Sequence, residues 1–147
     1  IAIVFHDKEH MDMLFINESF YKMYGYTQEQ FRQEVHRISD VIYPDDREKV
    51  EKHIMEAMTQ RKTATYEYRC LKRDGSVFWV QMRNSPFNLE GVNDCVLLGV
   101  ARDITAQKQV HDKLVHLGEA AKQEMAHCSP RALQLLTHVL EEIDLLL

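Results

Sequence analysis

From Thr63 the apolar residues of this chain alternate with polar ones, and after Thr105 the alternation is gone. A period of two marks a strand with one buried face, whereas apolar residues three and four apart line one face of a helix. Thr65-Tyr66-Glu67-Tyr68-Arg69-Cys70-Leu71 and Val77-Phe78-Trp79-Val80-Gln81-Met82 read as a strand pair joined by the Asp-Gly turn of Arg73-Asp74-Gly75-Ser76. A loop through Asn88, Glu90, Gly91 and Asn93 leads to a third strand over 95–101. Beyond Thr105, Val110, Leu114, Leu117 and Ala121 follow at spacings of 4, 3 and 4, and Leu133, Leu136, Leu140, Ile143 and Leu147 at 3, 4, 3 and 4. The chain therefore divides into 1–105, built around a sheet, and 106–147, a helical extension interrupted at His127-Cys128-Ser129-Pro130. A narrow apolar stripe with no domain left to pack on asks for a partner helix.

The first half supplies two more strands and several short helices. Ile1-Ala2-Ile3-Val4-Phe5 and Met13-Leu14-Phe15-Ile16 flank a polar turn and read as a hairpin. Asn17 is an N-cap candidate for a helix of about two turns, with Phe20 and Tyr24 on one face and Gly25 at the position that needs φ > 0. Thr27, with Glu29 and Gln30 behind it, caps a second short helix. At Tyr43-Pro44-Asp45-Asp46-Arg47 the proline stops what precedes it, and the two aspartates stand where a helix start favours negative charge. Val50, Ile54, Ala57 and Met58 then mark a helix running to about Gln60. The order β-β-α-α-(α)-α-β-β-β is α+β, with antiparallel hairpins and the helices gathered on one face of the sheet.

Composition excludes several functions. Eighteen Lys and Arg against 23 Asp and Glu give a formal charge of -5, which provides no field for gripping nucleic acid or an anionic membrane. No window approaches the roughly 20 apolar residues of a membrane span, and the start at Ile1, inside an apolar run, reads as a piece of a longer protein. Cys70, Cys95 and Cys128 are odd in number and widely spaced, so neither a disulfide framework nor a metal site is expected, and a reducing, cytoplasmic setting fits. His-Glu-x-x-His, Gly-x-Ser-x-Gly and phosphate-loop patterns are absent, and Asp45-Asp46 reads as a helix start, so the sheet region is expected to be non-catalytic. Only 5 Gly and 3 Pro leave little material for a flexible linker, so the connection to the extension should be a stiff helix.

Six segments then occur in a family order: Phe15-Ile16-Asn17-Glu18-Ser19-Phe20, Tyr24-Gly25-Tyr26-Thr27, Tyr43-Pro44-Asp45-Asp46-Arg47, Glu67 through Ser76, Trp79-Val80 and Arg102-Asp103-Ile104-Thr105. Over 1–105 the chain resembles a PAS domain with its C-terminal PAC region, the cytoplasmic sensor module of bacterial signalling proteins. The resemblance implies a five-stranded antiparallel sheet with short helices on one face, cupped around a small apolar cavity. A pocket for a small organic ligand would be lined by Phe5, Phe15, Phe20, Met23 and Ile38, together with Ile54, Met58, Leu98 and Val100. Signals would leave through Asp103, Ile104 and Thr105. Family members dimerise and feed a helix into their own output domain, which makes Val110, Leu114, Leu117, Ala121, Leu136, Leu140 and Ile143 the expected seam of a homodimer.

The cofactor expectation is open. Blue-light members carry a flavin-reactive cysteine on a middle helix, but residues 35–43 read Val-His-Arg-Ile-Ser-Asp-Val-Ile-Tyr, so a flavin adduct is not expected. His53 lies on the long helix where haem-binding members place a ligand, but about a turn too close to the following turn, so it reads as a partly buried helix histidine and haem is not expected. Met125-Ala126-His127, followed by Arg131, Leu133 and a leucine-rich helix, resembles the phosphoacceptor helix of histidine kinases. Cys128 replaces that family's acidic residue and Pro130 comes three residues on rather than five, so His127 is either a phosphoacceptor or a surface histidine. The expected output domain is a histidine kinase, with a cyclic-dinucleotide enzyme or a transcriptional regulator as the alternatives. The rival reading is a constitutive dimerisation module filled by its own side chains.

Overall fold

The computed structural model describes residues 2–6, 13–87, 96–124 and 129–146. Strands β3 (Ala64–Leu71), β4 (Val77–Phe87) and β5 (Val96–Asp103) are antiparallel neighbours and make the body of the sheet. The shorter β1 (Ala2–His6) pairs with β5, and β2 (Met13–Ile16) pairs with β1, so the order across the sheet is β2-β1-β5-β4-β3. The chain forms two compact units, Ile1–Ile104 and Thr105–Leu147. Thr105 opens a helix rather than closing the sheet region.

Strand β4 runs five residues past the Met82 at which the alternation was expected to end. Two features permit this. Asn84, a buried polar side chain, finds a partner in the Tyr66 hydroxyl. Pro86 has the parity whose N–H would point towards β3, but β3 has already ended opposite Asn84, so the missing donor leaves no gap in the ladder.

Between β2 and β3 lie α1 (Glu18–Tyr24), α2 (Gln28–Glu34), two 3₁₀ turns (Ile38–Val41 and Pro44–Asp46) and α3 (Arg47–Gln60). Asn17 caps α1 by accepting the Phe20 N–H at 3.1 Å, and Thr27 and Gln30 form a reciprocal capping box on α2. Gly25, at φ 77°, closes α1 with paired bonds from Gly25 N–H to Lys22 C=O and from Tyr26 N–H to Tyr21 C=O. Aromatic rings join these helices to the sheet. Phe20 stacks on Tyr24 at 4.3 Å and meets Phe31 edge-on, while Tyr24 meets Phe78 of β4 edge-on at 5.0 Å. Such pairs add about 0.5–1.5 kcal/mol each to their burial.

In the second unit α4 spans Thr105–Glu124 and α5 spans Pro130–Leu146. Pro130 stands at the first position of α5, where its missing N–H is harmless, and the Ala132 N–H reaches the Ser129 hydroxyl at 3.5 Å. No helix among the described residues is long and apolar enough to cross a membrane.

Arg61, which ends α3, adopts the same left-handed backbone as Gly25 but carries a Cβ (φ 49°). Gly25→Ala should therefore destabilise the fold by about 1 kcal/mol, and Arg61→Gly should stabilise it by a similar amount. Urea unfolding of both variants checks the opposite signs.

Candidate functional site

The pleat of β3 and β4 sends Tyr66, Tyr68, Cys70, Phe78, Val80, Met82 and Asn84 towards the helices, where all are buried. Their polar atoms are paired with one another. Asn84 Nδ2 donates to the Tyr66 hydroxyl at 2.8 Å, and the Tyr24 hydroxyl lies 3.3 Å from Cys70 Sγ. Burial pushes the Cys70 thiol up to about 12, holding it in the neutral, unreactive form. It likewise raises the hydroxyls of Tyr24, Tyr66 and Tyr68.

Between this face and the helices lies a cavity of about 10 Å³, lined by Ile38, Ile42, Val50, Ile54, Tyr66, Tyr68, Met82 and Asn84. That volume suits about one water molecule. His53 stacks on the Tyr66 ring at 4.5 Å and is partly buried, as its place at the edge of the apolar helix face implies. Among the described residues no group of three His, Cys, Asp or Glu side chains is placed to hold a metal ion.

Of the residues expected to line a pocket, Ile38 and Ile54 reach the cavity, Phe20 and Met58 belong to the surrounding core, and Met23 packs against that core half-buried. Leu98 and Val100 do not reach it. Their parity is that of Ser85 and Arg83, on the opposite face of the sheet, while Leu97, Gly99 and Ala101 face the helices. The run from Val96 to Ala101 is apolar at both parities, so alternation could not choose its face. Phe15 is 54% exposed on the outer strand β2. Phe5 shares the register of Leu98, and its side chain lies outside the described residues. Ile42, Val50, Tyr66, Tyr68, Met82 and Asn84 are the lining residues missing from the expected set, although the alternation of β3 places the two tyrosines on one face.

A second cluster fastens the start of α3 to β3. The Arg69 guanidinium holds Asp46 through two bonds, Nε to Oδ2 at 3.0 Å and Nη2 to Oδ1 at 2.7 Å, and the Arg69 N–H also donates to Oδ2 at 2.8 Å. The guanidinium lies over the Tyr43 ring at 4.2 Å, and the Tyr43 N–H donates to the Arg69 C=O at 3.0 Å. Hydrogen bonding to Arg69 keeps the Asp46 carboxyl below its ordinary range. Read from sequence as a helix-start charge, Asp46 makes no cap bond to α3; its carboxylate is taken by a strand 23 residues away.

A family model described as PAS fold matches residues 13–101, more than half of the chain. The chain belongs to the PAS-fold family. Solved PAS structures are similar over most of the chain. A PAS domain from Colwellia psychrerythraea is 28% identical, with TM-score 0.60, covering 71% of this chain and 86% of its own. A sensory box histidine kinase/response regulator from Burkholderia thailandensis is 24% identical, with TM-score 0.66, covering 83% and 90%. The N-terminal domain of a diguanylate cyclase with PAS/PAC sensor from Marinobacter aquaeolei is 19% identical, with TM-score 0.59, covering 74% and 99%. No curated protein matches the chain.

In this PAS domain the exit segment is short. β5 ends at Asp103, α4 begins at Thr105, and the one residue between them, Ile104, is buried with its N–H on the Trp79 C=O at 2.9 Å. Along α4, Val110 and Leu117 are exposed (58% and 63%), with Leu114 and Ala121 half-buried. The side chains of Leu136, Leu140 and Ile143, and all of His127, lie outside the described residues.

Two measurements check this geometry. Because the Asp46 carboxyl titrates lower in the folded chain than in the unfolded one, its contribution is complete above about pH 4 and fades as pH falls through the folded value. Asp46→Asn should cost about 2 kcal/mol at pH 7, and the gap from wild type should close on acidification, read from denaturant melts across pH. At pH 8 Cys70 should resist iodoacetamide in the folded chain and alkylate only in denaturant, as peptide mapping by mass spectrometry would show.

Proposed function

We propose that this PAS domain is the cytoplasmic sensory module of a bacterial signal-transduction protein, passing a change in the sheet to α4 and so to an output domain. The observation that carries the reading is the exit at Ile104: a single buried residue, hydrogen-bonded to β4, joins the last strand to a 20-residue helix. A shift of β4 against β5 therefore moves the start of α4, with no flexible linker to absorb it. The exposed Val110 and Leu117 support a homodimer in which two copies of α4 cover each other's seams. The Burkholderia and Marinobacter proteins, described as a sensory histidine kinase and a diguanylate cyclase, support outputs of those two classes. In the kinase case His127 is the phosphoacceptor.

The stimulus is a small ligand or a protein partner. The small cavity favours a second reading, a dimerisation module whose interior its own side chains fill. Native mass spectrometry of protein purified from cells separates the two: a co-purifying small molecule supports sensing, and its loss in Ile54→Trp would place it in the cavity. Leu117→Lys should shift the mass seen by light scattering towards monomer, and an unchanged dimer would rule out the α4 seam. Label transfer from an added kinase catalytic domain, lost in His127→Ala, identifies the phosphoacceptor.

A further inference from the structure

We propose that β3 is a latent pairing edge for a second copy of this chain and that Asp46 holds it closed. The two outer strands of the sheet are β2 and β3; β2 has four residues, while β3 has eight. A long edge strand presents a row of unpaired N–H and C=O groups on which another strand can build. In an antiparallel ladder both backbone groups of a residue point to the same side, and the side alternates along the strand. The Arg69 N–H and C=O both point away from β4, to Asp46 and Tyr43, so those of Thr65, Glu67 and Leu71 point the same way.

The cover over this edge comes from residues 42–49. Ile42 bridges Cys70, the Tyr43 N–H donates to the Arg69 C=O, the Asp46 carboxylate takes the Arg69 N–H, and Lys49 Nζ reaches the Glu67 C=O at 3.3 Å. Asp46 stands at the N-cap of α3 yet makes no bond to its own helix there. Its carboxylate serves the strand edge instead.

The occupant of the uncovered edge follows from the sequence of β3. If two copies pair antiparallel about Tyr68, Glu67 of one lies opposite Arg69 of the other, and both have outward backbone groups, so the two residues exchange both hydrogen bonds. The same register sets the two opposite charges side by side, twice across the two-fold axis. Asp46 therefore already holds the N–H and the guanidinium that Glu67 of a second copy would take.

The test compares the wild-type chain with Asp46→Ala by light scattering over a range of concentrations, with circular dichroism to report folding. Folded D46A should carry mass beyond that of the wild type, and the excess should rise with concentration. The double variant D46A/E67R, which sets like charges across the proposed pair, should return to the wild-type mass. A folded D46A with the wild-type mass at every concentration overturns the proposal, as does excess association that E67R leaves intact. Should D46A not fold, D46N decides in its place. It loses the ion pair and should associate more than the wild type, whereas wild-type mass at every concentration overturns the proposal.

Discussion

The parity of β3 and β4 is the constraint on which the first unit rests. Once Tyr66, Tyr68 and Cys70 face one way, the register of β4 puts Met82, Val80 and Phe78 beside them, and a continuous apolar face has to be covered. Short helices with aromatic faces do the covering. α1 and α2 are each seven residues long, too short to persist alone, and they hold because Phe20, Tyr24 and Phe31 interlock against Phe78. Caps at Asn17, Thr27 and Gly25 set where these helices begin and end, so that their rings arrive over the sheet.

Polar atoms inside that core make it specific. Asn84 could not be buried without Tyr66, and the Tyr24 hydroxyl is matched to Cys70. These pairs also fix what the interior can do. The thiol is held neutral, and the cavity between this face and the helices has a volume of about 10 Å³. A well-packed interior of this kind transmits displacement rather than absorbing it.

The edge of the sheet adds a second layer of design. Arg69, Asp46 and Tyr43 tie the start of α3 to β3 by both backbone and side-chain bonds, so the longest helix of the first unit is registered against the sheet at its N-terminus. The same bonds remove the edge groups from reach of other chains. One acidic residue thus bears on stability, helix placement and association.

Much of this was legible in the residues alone. The Asp-Gly turn, the caps at Asn17 and Thr27 and the glycine closing α1 are local signals, decided within a few residues of themselves, and each lies where it was read, while the first unit ends at Ile104 rather than Thr105. What the sequence could not decide depends on partners far along the chain. The face on which Leu98 and Val100 lie depends on the register of β5 against β4, because the strand is apolar at both parities and its own alternation does not reveal it. The duty of Asp46 depends on an N–H 23 residues away, and a carboxylate at a helix start gives no local sign that it serves a strand. Sequence determined the elements and their caps because those energies are short-range; only the tertiary structure decided which face of β5 is buried and which aspartate holds the edge, because those are contacts between elements.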